Sequence, residues 1–225
     1  MLPEFYVAGK GLLEMAMSEA APTGTQKIRI FVDFWNFQLS LNQVAPPDYR
    51  PDWHALPQWL TDRTKDLVLS DPSETLQFEG VHVYISYNSQ TQKGRGLHHW
   101  ATTVLARFPG FQVECVERKA KGPPTCPACH QRIDDCPHCG SKMARTVEKG
   151  IDTAIVTDMI TLALEDAWHI GVLVSSDRDF IPAVVYLAKK GHKVLHAGFP
   201  PLGMDLARSC WASIDIRKGL NDISR

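Results

Sequence analysis

The most constraining stretch of this chain is Gly171-Val172-Leu173-Val174-Ser175-Ser176-Asp177-Arg178-Asp179-Phe180. A short apolar run, Val172 to Val174, stops at two serines, delivers Asp177 and Asp179, and passes at once into a helical apolar pattern. That layout is expected of a buried parallel strand running into a helix, with carboxylates at the strand's carboxyl end. In open α/β sheets, ligands and chemistry gather at that end. Ile28-Arg29-Ile30-Phe31-Val32 repeats the layout and ends in Asp33-Phe34-Trp35-Asn36. Two strands thus bring acids to one rim.

The remaining sequence supports an alternation of strands and helices. Strands are predicted at 28–32, 81–85, 111–116, 172–174 and 193–196, with a possible edge strand at 213–216. Helices are predicted at 33–41, 52–69, 97–107, 152–167, 179–190 and 202–207. Ile155, Met159, Ile160, Leu162, Ala163 and Leu164 supply the apolar face of the 152–167 helix. Such alternation argues for an α/β fold, a mainly parallel sheet of about five strands covered on both faces. Residues 1–26 read as a loose leader in which Met17 is an alternative start. Residues 27–217 read as one domain, 118–148 as an insertion within it, and 218–225 as a tail.

Lys and Arg total 24 against 25 Asp and Glu, so no broad basic field exists and nucleic-acid contacts must come from local clusters. No apolar run approaches the roughly 20 residues that span a bilayer, and no membrane partner is expected. Glu4, Gly9, Lys10 and Glu14 interrupt what would be a secretory apolar region. Four of the six cysteines crowd between 126 and 139, which suits a reducing compartment and a metal. The expected location is the cytosol.

Taken singly, Asp152, Asp177 and Asp179 are most economically helix caps. Taken together with Asp33 they are like charges at one rim, and such charges cannot all stay ionised unaided. A hard Mg²⁺ or Mn²⁺ ion removes the conflict, prefers oxygen ligands, and can turn a bound water into a nucleophile for a phosphodiester. Asn36, one turn beyond Asp33, is placed to orient a water or phosphate. Asp158 lies deeper in its helix and reads as supporting or structural.

Val32-Asp33-Phe34-Trp35-Asn36, Lys149-Gly150-Ile151-Asp152 with Asp158, and Ser175-Ser176-Asp177-Arg178-Asp179-Phe180 resemble, in order, the three signature blocks of NYN domains, which belong to the PIN-like nuclease superfamily. The resemblance covers roughly residues 28–200. It implies a three-layer Rossmann-like fold and a metal-dependent ribonuclease site with Asp33, Asp152 and Asp177 as principal metal acids, Asp179 completing the cluster and Asn36 assisting. Two departures stand out: Ser176, where many members carry glycine, and Arg178 between the acids.

Cys126-Pro-Ala-Cys129 and Cys136-Pro-His-Cys139-Gly140 form two CxxC pairs six residues apart. Each resembles a zinc-ribbon knuckle, and four thiolates make the closed tetrahedral set of a structural Zn²⁺ site. A redox pair is the competing reading, but two pairs so close together fit it poorly. Cys115 and Cys210 read as buried apolar thiols. The insertion returns the chain beside the acidic rim with several basic residues, Arg145 and Lys149 among them. They either solvate a loop or grip a phosphate backbone. Lys93 and Arg95, in a predicted polar loop after the second strand, and Arg178 are further phosphate-contact candidates. Trp35 and Tyr87 can stack on bases or serve as core. His98 and His99 read as packing residues.

The expectation is a divalent-metal-dependent ribonuclease acting on RNA, with DNA not excluded because metal-assisted phosphodiester chemistry does not itself distinguish the sugars. The alternatives are a nucleic-acid-binding module of the same fold that cleaves weakly or not at all, and a phosphatase. The phosphatase would want Asp-x-Asp after the first strand, where this chain has Trp35.

Overall fold

A computed structural model of the protein describes residues 24–71, 73–143 and 145–225. The leader reading for residues 1–23 lies outside them, and Thr25 and Gln26 already belong to the first strand. The elements run β1 (Thr25–Asp33), α1 (Phe34–Val44), α2 (Ala55–Val68), β2 (Thr75–Tyr87), α3 (Gln92–Thr103) and β3 (Phe111–Glu117). A small ribbon follows, β4 (Lys119–Lys121) with β5 (Arg145–Val147). Then come α4 (Ile151–Leu164), β6 (Ile170–Val174), α5 (Ile181–Lys189), β7 (Lys193–Gly198), α6 (Met204–Ser209) and β8 (Ala212–Asp215).

Six strands form one sheet in the order β3-β2-β1-β6-β7-β8, and every neighbouring pair is parallel. The order reverses between β1 and β6, the switch point at which doubly wound sheets open a crevice beyond their carboxyl ends. Ile28, Ile30 and Val32 point from β1 to one face, where they meet Phe34, Phe37 and Leu41 of α1 and Leu56 and Leu60 of α2. Phe31 points to the other face, with Ile155 and Met159 of α4, Trp168, Phe180 and Leu187 of α5. The three-layer α/β architecture follows from this period-two division along β1. Each of these fully buried side chains contributes roughly 1.5–3 kcal/mol of transfer free energy.

Several boundaries differ from the sequence expectation. β2 extends back to Thr75, because its first residues pair with β1 while staying largely exposed and so leave no burial pattern. On α4 the buried face is Ile151, Ile155, Met159 and Ala163 at four-residue spacing, while Leu164 is 64% exposed. The stretch 88–96 is only in part a loop, since α3 starts at Gln92 with Thr91 as its N-cap. Gly94 and Gly96 disguise that start, as glycine disfavours helix interiors. Gly94 is needed there: a Cβ would sit 1.9 Å from the backbone oxygen of Asn88. The last residues, expected to be a tail, are built into the fold. Ile223 is fully buried, its carbonyl accepts the Asp52 N–H at 2.8 Å, and Tyr49 donates to the Leu220 carbonyl at 2.7 Å.

Candidate active site

The site forms where β1 and β6 end side by side. Asp33 closes β1 and caps α1. One carboxylate oxygen accepts the Asn36 N–H at 3.2 Å, and the other accepts the Ser175 hydroxyl at 3.2 Å. Ser175 in turn accepts the Asp177 N–H at 3.2 Å, and the Asn36 carbonyl oxygen accepts the Ser176 N–H at 2.8 Å. Two of these bonds, Ser175 to Asp33 and Ser176 to Asn36, tie the two strand ends together, and the other two fix each end within itself. Asn36 commits its oxygen to this brace, so it positions the β6 turn, and only its amide NH₂ remains to meet a substrate. Asp177 also caps the 3₁₀ turn Arg178–Phe180 by accepting the Asp179 N–H at 2.9 Å. Capping and site roles coexist in one side chain, because a carboxylate has two oxygens.

Asp152 reaches the same rim from the first turn of α4. Gly150, in the left-handed region at φ 97°, lets the incoming chain turn sharply into that helix. Burial pushes the Asp33 carboxyl up to about 6, the Asn36 and Ser175 hydrogen bonds oppose the shift, and the charges of Asp152 and Glu148 add to it. Partial burial raises Asp152 as well, followed by the charges of Asp177, Glu148 and Asp179. The acids expected from sequence (Asp33, Asp152, Asp177 and Asp179) are thus brought within electrostatic range of one another. Among the described residues, no three His, Cys, Asp or Glu side chains already form a metal cage.

Glu148 is a further rim acid, not among those expected from the sequence. Its carboxylate accepts the Ser86 hydroxyl, at the end of β2, and lies 3.5 Å from Arg118 Nη2. The signal that could reveal it is its place two residues before Gly150. A chain entering α4 beside the rim must carry its preceding residues along that rim. Asp158, by contrast, faces the β2 flank, where it accepts the Tyr84 hydroxyl at 2.7 Å and lies 3.9 Å from His82 Nδ1. It takes no part in the rim.

The basic and aromatic candidates divide. Lys93 lies in the first turn of α3 and lines a cavity of about 380 Å³ with Trp35, Tyr87 and Arg118. Arg95 donates to the Ser89 carbonyl at 2.8 Å and so commits a donor to its own loop. Arg178 lines a second cavity of about 510 Å³ with Asn36, Ser176 and Asp177. Arg145 stands in β5 opposite Lys121, and Lys149 is exposed beside Glu148. Trp35 donates its indole N–H to the Ser86 carbonyl at 2.6 Å and carries the Arg118 guanidinium 5.0 Å above its ring. His98 stacks on Tyr87 at 4.3 Å, a packing role. Sequence alone marks Arg118 only as one basic residue of the insertion among several.

The two CxxC segments have matching backbones. The Cys126 N–H donates to Gln131 and the His130 N–H returns to Cys126, while Cys136 pairs with Ser141 and Gly140 returns to Cys136. His130 and Gly140 occupy the left-handed region at φ 58° and 69°. Backbone N–H groups of Cys129 and Ala128, then the Cys129 thiol, lower the Cys126 thiol. The Ser141 hydroxyl and N–H, then Cys136, lower Cys139. Each segment thus gathers its own two sulfurs and favours the thiolate. Cys210 is buried, and Cys115 is partly buried against the core.

The NYN domain model matches residues 27–217. The chain belongs to the NYN domain family. That family sits in the PIN-like nuclease superfamily, in keeping with the resemblance read from the three motif blocks. Among solved structures, a protein of unknown function from Vibrio parahaemolyticus matches with a TM-score of 0.53 at 20% identity, covering 92% of this chain and 100% of that one. At that identity it supports the fold alone. The nicotinamidase of Staphylococcus aureus aligns at a TM-score of 0.30 and 11% identity, over 88% of this chain and 97% of that one, and carries no argument. No curated protein matches the chain. No described helix of this NYN-domain protein is long and apolar enough to cross a membrane.

Proposed function

We propose that this NYN-domain chain is a divalent-metal-dependent ribonuclease, working in the reducing environment of the cytosol. One observation carries the reading. Asp33 and Asp177, delivered by adjacent strands at the sheet's switch point, share a rim with Asp152, Asp179 and Glu148, where burial first and the neighbouring charges second raise Asp33 and Asp152. An oxygen-only donor set with like charges gathered at one rim suits a hard cation, so Asp33, Asp152, Asp177 and Asp179 are the proposed Mg²⁺ or Mn²⁺ ligands. Bound there, the cation would supply an activated water and offset charge developing on the phosphate. The chain's own residues do the remainder. Ser175 and Asn36 hold the two strand ends in register, Glu148 completes the acidic wall, and Arg178 and Lys149 meet phosphates flanking the cut. Zn²⁺ on Cys126, Cys129, Cys136 and Cys139 would staple residues 122–143 into a compact arm, and the paired thiolate-favouring turns support that role.

The test is cleavage of RNA, and of DNA in parallel, by purified protein with Mn²⁺. Asp177→Asn and Asp33→Asn should each lower the rate by at least about a hundredfold, the scale on which removal of a group acting on the reacting centre is felt. No cleavage of either polymer, or full activity in both variants, would leave a binding module in place of an enzyme.

A further inference from the structure

The cavity beside Trp35 has no role in the chemistry above. It has a volume of about 380 Å³ and lies between α1 and the loop leading into α3. That size falls within the roughly 300–1,000 Å³ range of small-ligand pockets. Its recognition chemistry lies in six lining residues: Trp35, Gln38, Tyr87, Asn88, Lys93 and Arg118. Trp35 and Arg118 are locked together, the guanidinium lying 5.0 Å over the indole while its Nε donates to Ser86 at 3.0 Å. Tyr87 is held by its stack on His98. The planar groups are therefore pre-set rather than loose.

The polar groups are of a different kind, because they have capacity to spare. Gln38 donates to Asn42 at 2.8 Å, leaving its carbonyl oxygen without a partner among the described residues. Asn88 accepts the Gln90 N–H at 3.0 Å, leaving its NH₂ equally unpaired among them. Lys93 is exposed. Rigid planes, one spare acceptor, one spare donor and a cation match a nucleobase and its phosphate. Single-stranded bases are bound by stacking on aromatic rings or guanidinium planes, with hydrogen bonds to their edges.

Ser86 sets the position of this cavity relative to the acids. It lines the cavity, and its hydroxyl donates to Glu148, whose charge acts on both Asp33 and Asp152. On the other side of the acids lies the cavity lined by Asn36, Asp177 and Arg178. We propose that the Trp35–Tyr87–Arg118 cavity is a nucleobase subsite that holds one unpaired nucleotide of a single-stranded RNA next to the acidic site. The strand then crosses the acids toward Arg178, with its phosphate backbone over the carboxylate rim. A duplex hides its bases from such a pocket, so the subsite selects unpaired RNA. The choice of RNA rests on the nuclease reading, whereas the base-binding geometry does not.

The experiment uses the full chain without added Mg²⁺ or Mn²⁺, so that binding is read apart from hydrolysis. Short single-stranded RNA carrying one photoreactive iodouracil at successive positions is crosslinked, and the adducts are mapped by mass spectrometry. In one register the adduct should fall on Trp35 or Tyr87. An abasic site in that register should weaken binding about tenfold, Trp35→Ala should abolish that penalty, and fully paired RNA should give no such adduct. Adducts confined to the cysteine arm, or abasic sites without effect at every position, overturn the proposal. If Trp35→Ala does not fold, the crosslink map and abasic scan on the unaltered protein decide. Crosslinking in the cavity without cleavage under Mn²⁺ keeps the subsite and removes the nuclease reading. Cleavage with adducts elsewhere does the reverse.

Discussion

The Asp33 carboxylate sits at the end of β1 with almost no solvent, facing the charges of Asp152 and Glu148. Its two hydrogen bonds, from Asn36 and Ser175, do not offset the loss of water, so its pKa rises from 3.8 to about 6. The folded state therefore holds this proton more tightly than the unfolded chain does, and folding is favoured at low pH. Stability is then lost as pH rises from about 4 through about 6. At neutral pH the ionised group costs on the order of 2–3 kcal/mol, because a tenfold change in proton affinity is worth about 1.4 kcal/mol. Asp33→Asn keeps a capping side chain and removes the charge. We expect it to unfold at a higher temperature than the unaltered protein at pH 7, with the gap closing by pH 4, while nuclease activity is lost. Calorimetry at both pH values checks this, and a variant less stable at pH 7 would contradict it. Tension of this kind, where stability is given up to keep a charge poised, is a mark of functional sites.

At the scale of elements, the β4–β5 ribbon and the arm beyond it differ from everything else in the protein. Among the described residues from 106 to 150 none is buried, so the arm owns no hydrophobic core. Its internal order centres on two tight turns, each gathering a pair of sulfurs. A segment of that size needs a metal in place of a core. We therefore expect reduced protein to carry about one tightly bound Zn²⁺. Chelation, or Cys136→Ser, should expose residues 122–143 to limited proteolysis while the main thermal transition moves by no more than about a degree. Metal analysis and peptide mapping read the two halves separately. The two legs of the arm pair in its ribbon and in the Arg118–Glu148 contact at its base, and Ser86 of β2, bonded to both of those side chains, ties that base to the sheet. Loss of the whole fold on chelation would make zinc a core element instead. The cysteine spacing is plain in the sequence because a knuckle is local. The place of Glu148 is not, because only the ribbon's three-dimensional return shows which loop charge ends on the rim.

Across the whole molecule, the legible features are those in which a residue's neighbours in sequence also fix its place in space. Strand runs ending in Asp33 and Asp177 announce the parallel sheet and its rim, since period-two burial and the abrupt change to acids are local. The start of α3 and the first half of β2 stay hidden, the one behind two glycines and the other in an exposed pairing. The bonds from Ser175 and Ser176 to Asp33 and Asn36 join residues far apart along the chain, and no local pattern encodes them. The same separation governs the proposed metal site. Asp33, Asp152, Asp177 and Asp179 converge only when β1, α4 and β6 are assembled, so a cation bound there binds the native state and not the unfolded chain. At a hundred times its dissociation constant it adds about 2.7 kcal/mol. For a chain of this length that corresponds to roughly 5–10 °C. Mn²⁺ should raise the melting temperature by about that much at pH 7.5. The gain should shrink as pH falls through about 6, where the cation must displace the Asp33 proton, and it should be largely lost in Asp177→Asn. A shift that survives unchanged in that variant, or does not depend on pH, would place the cation elsewhere and detach the acidic rim from metal chemistry.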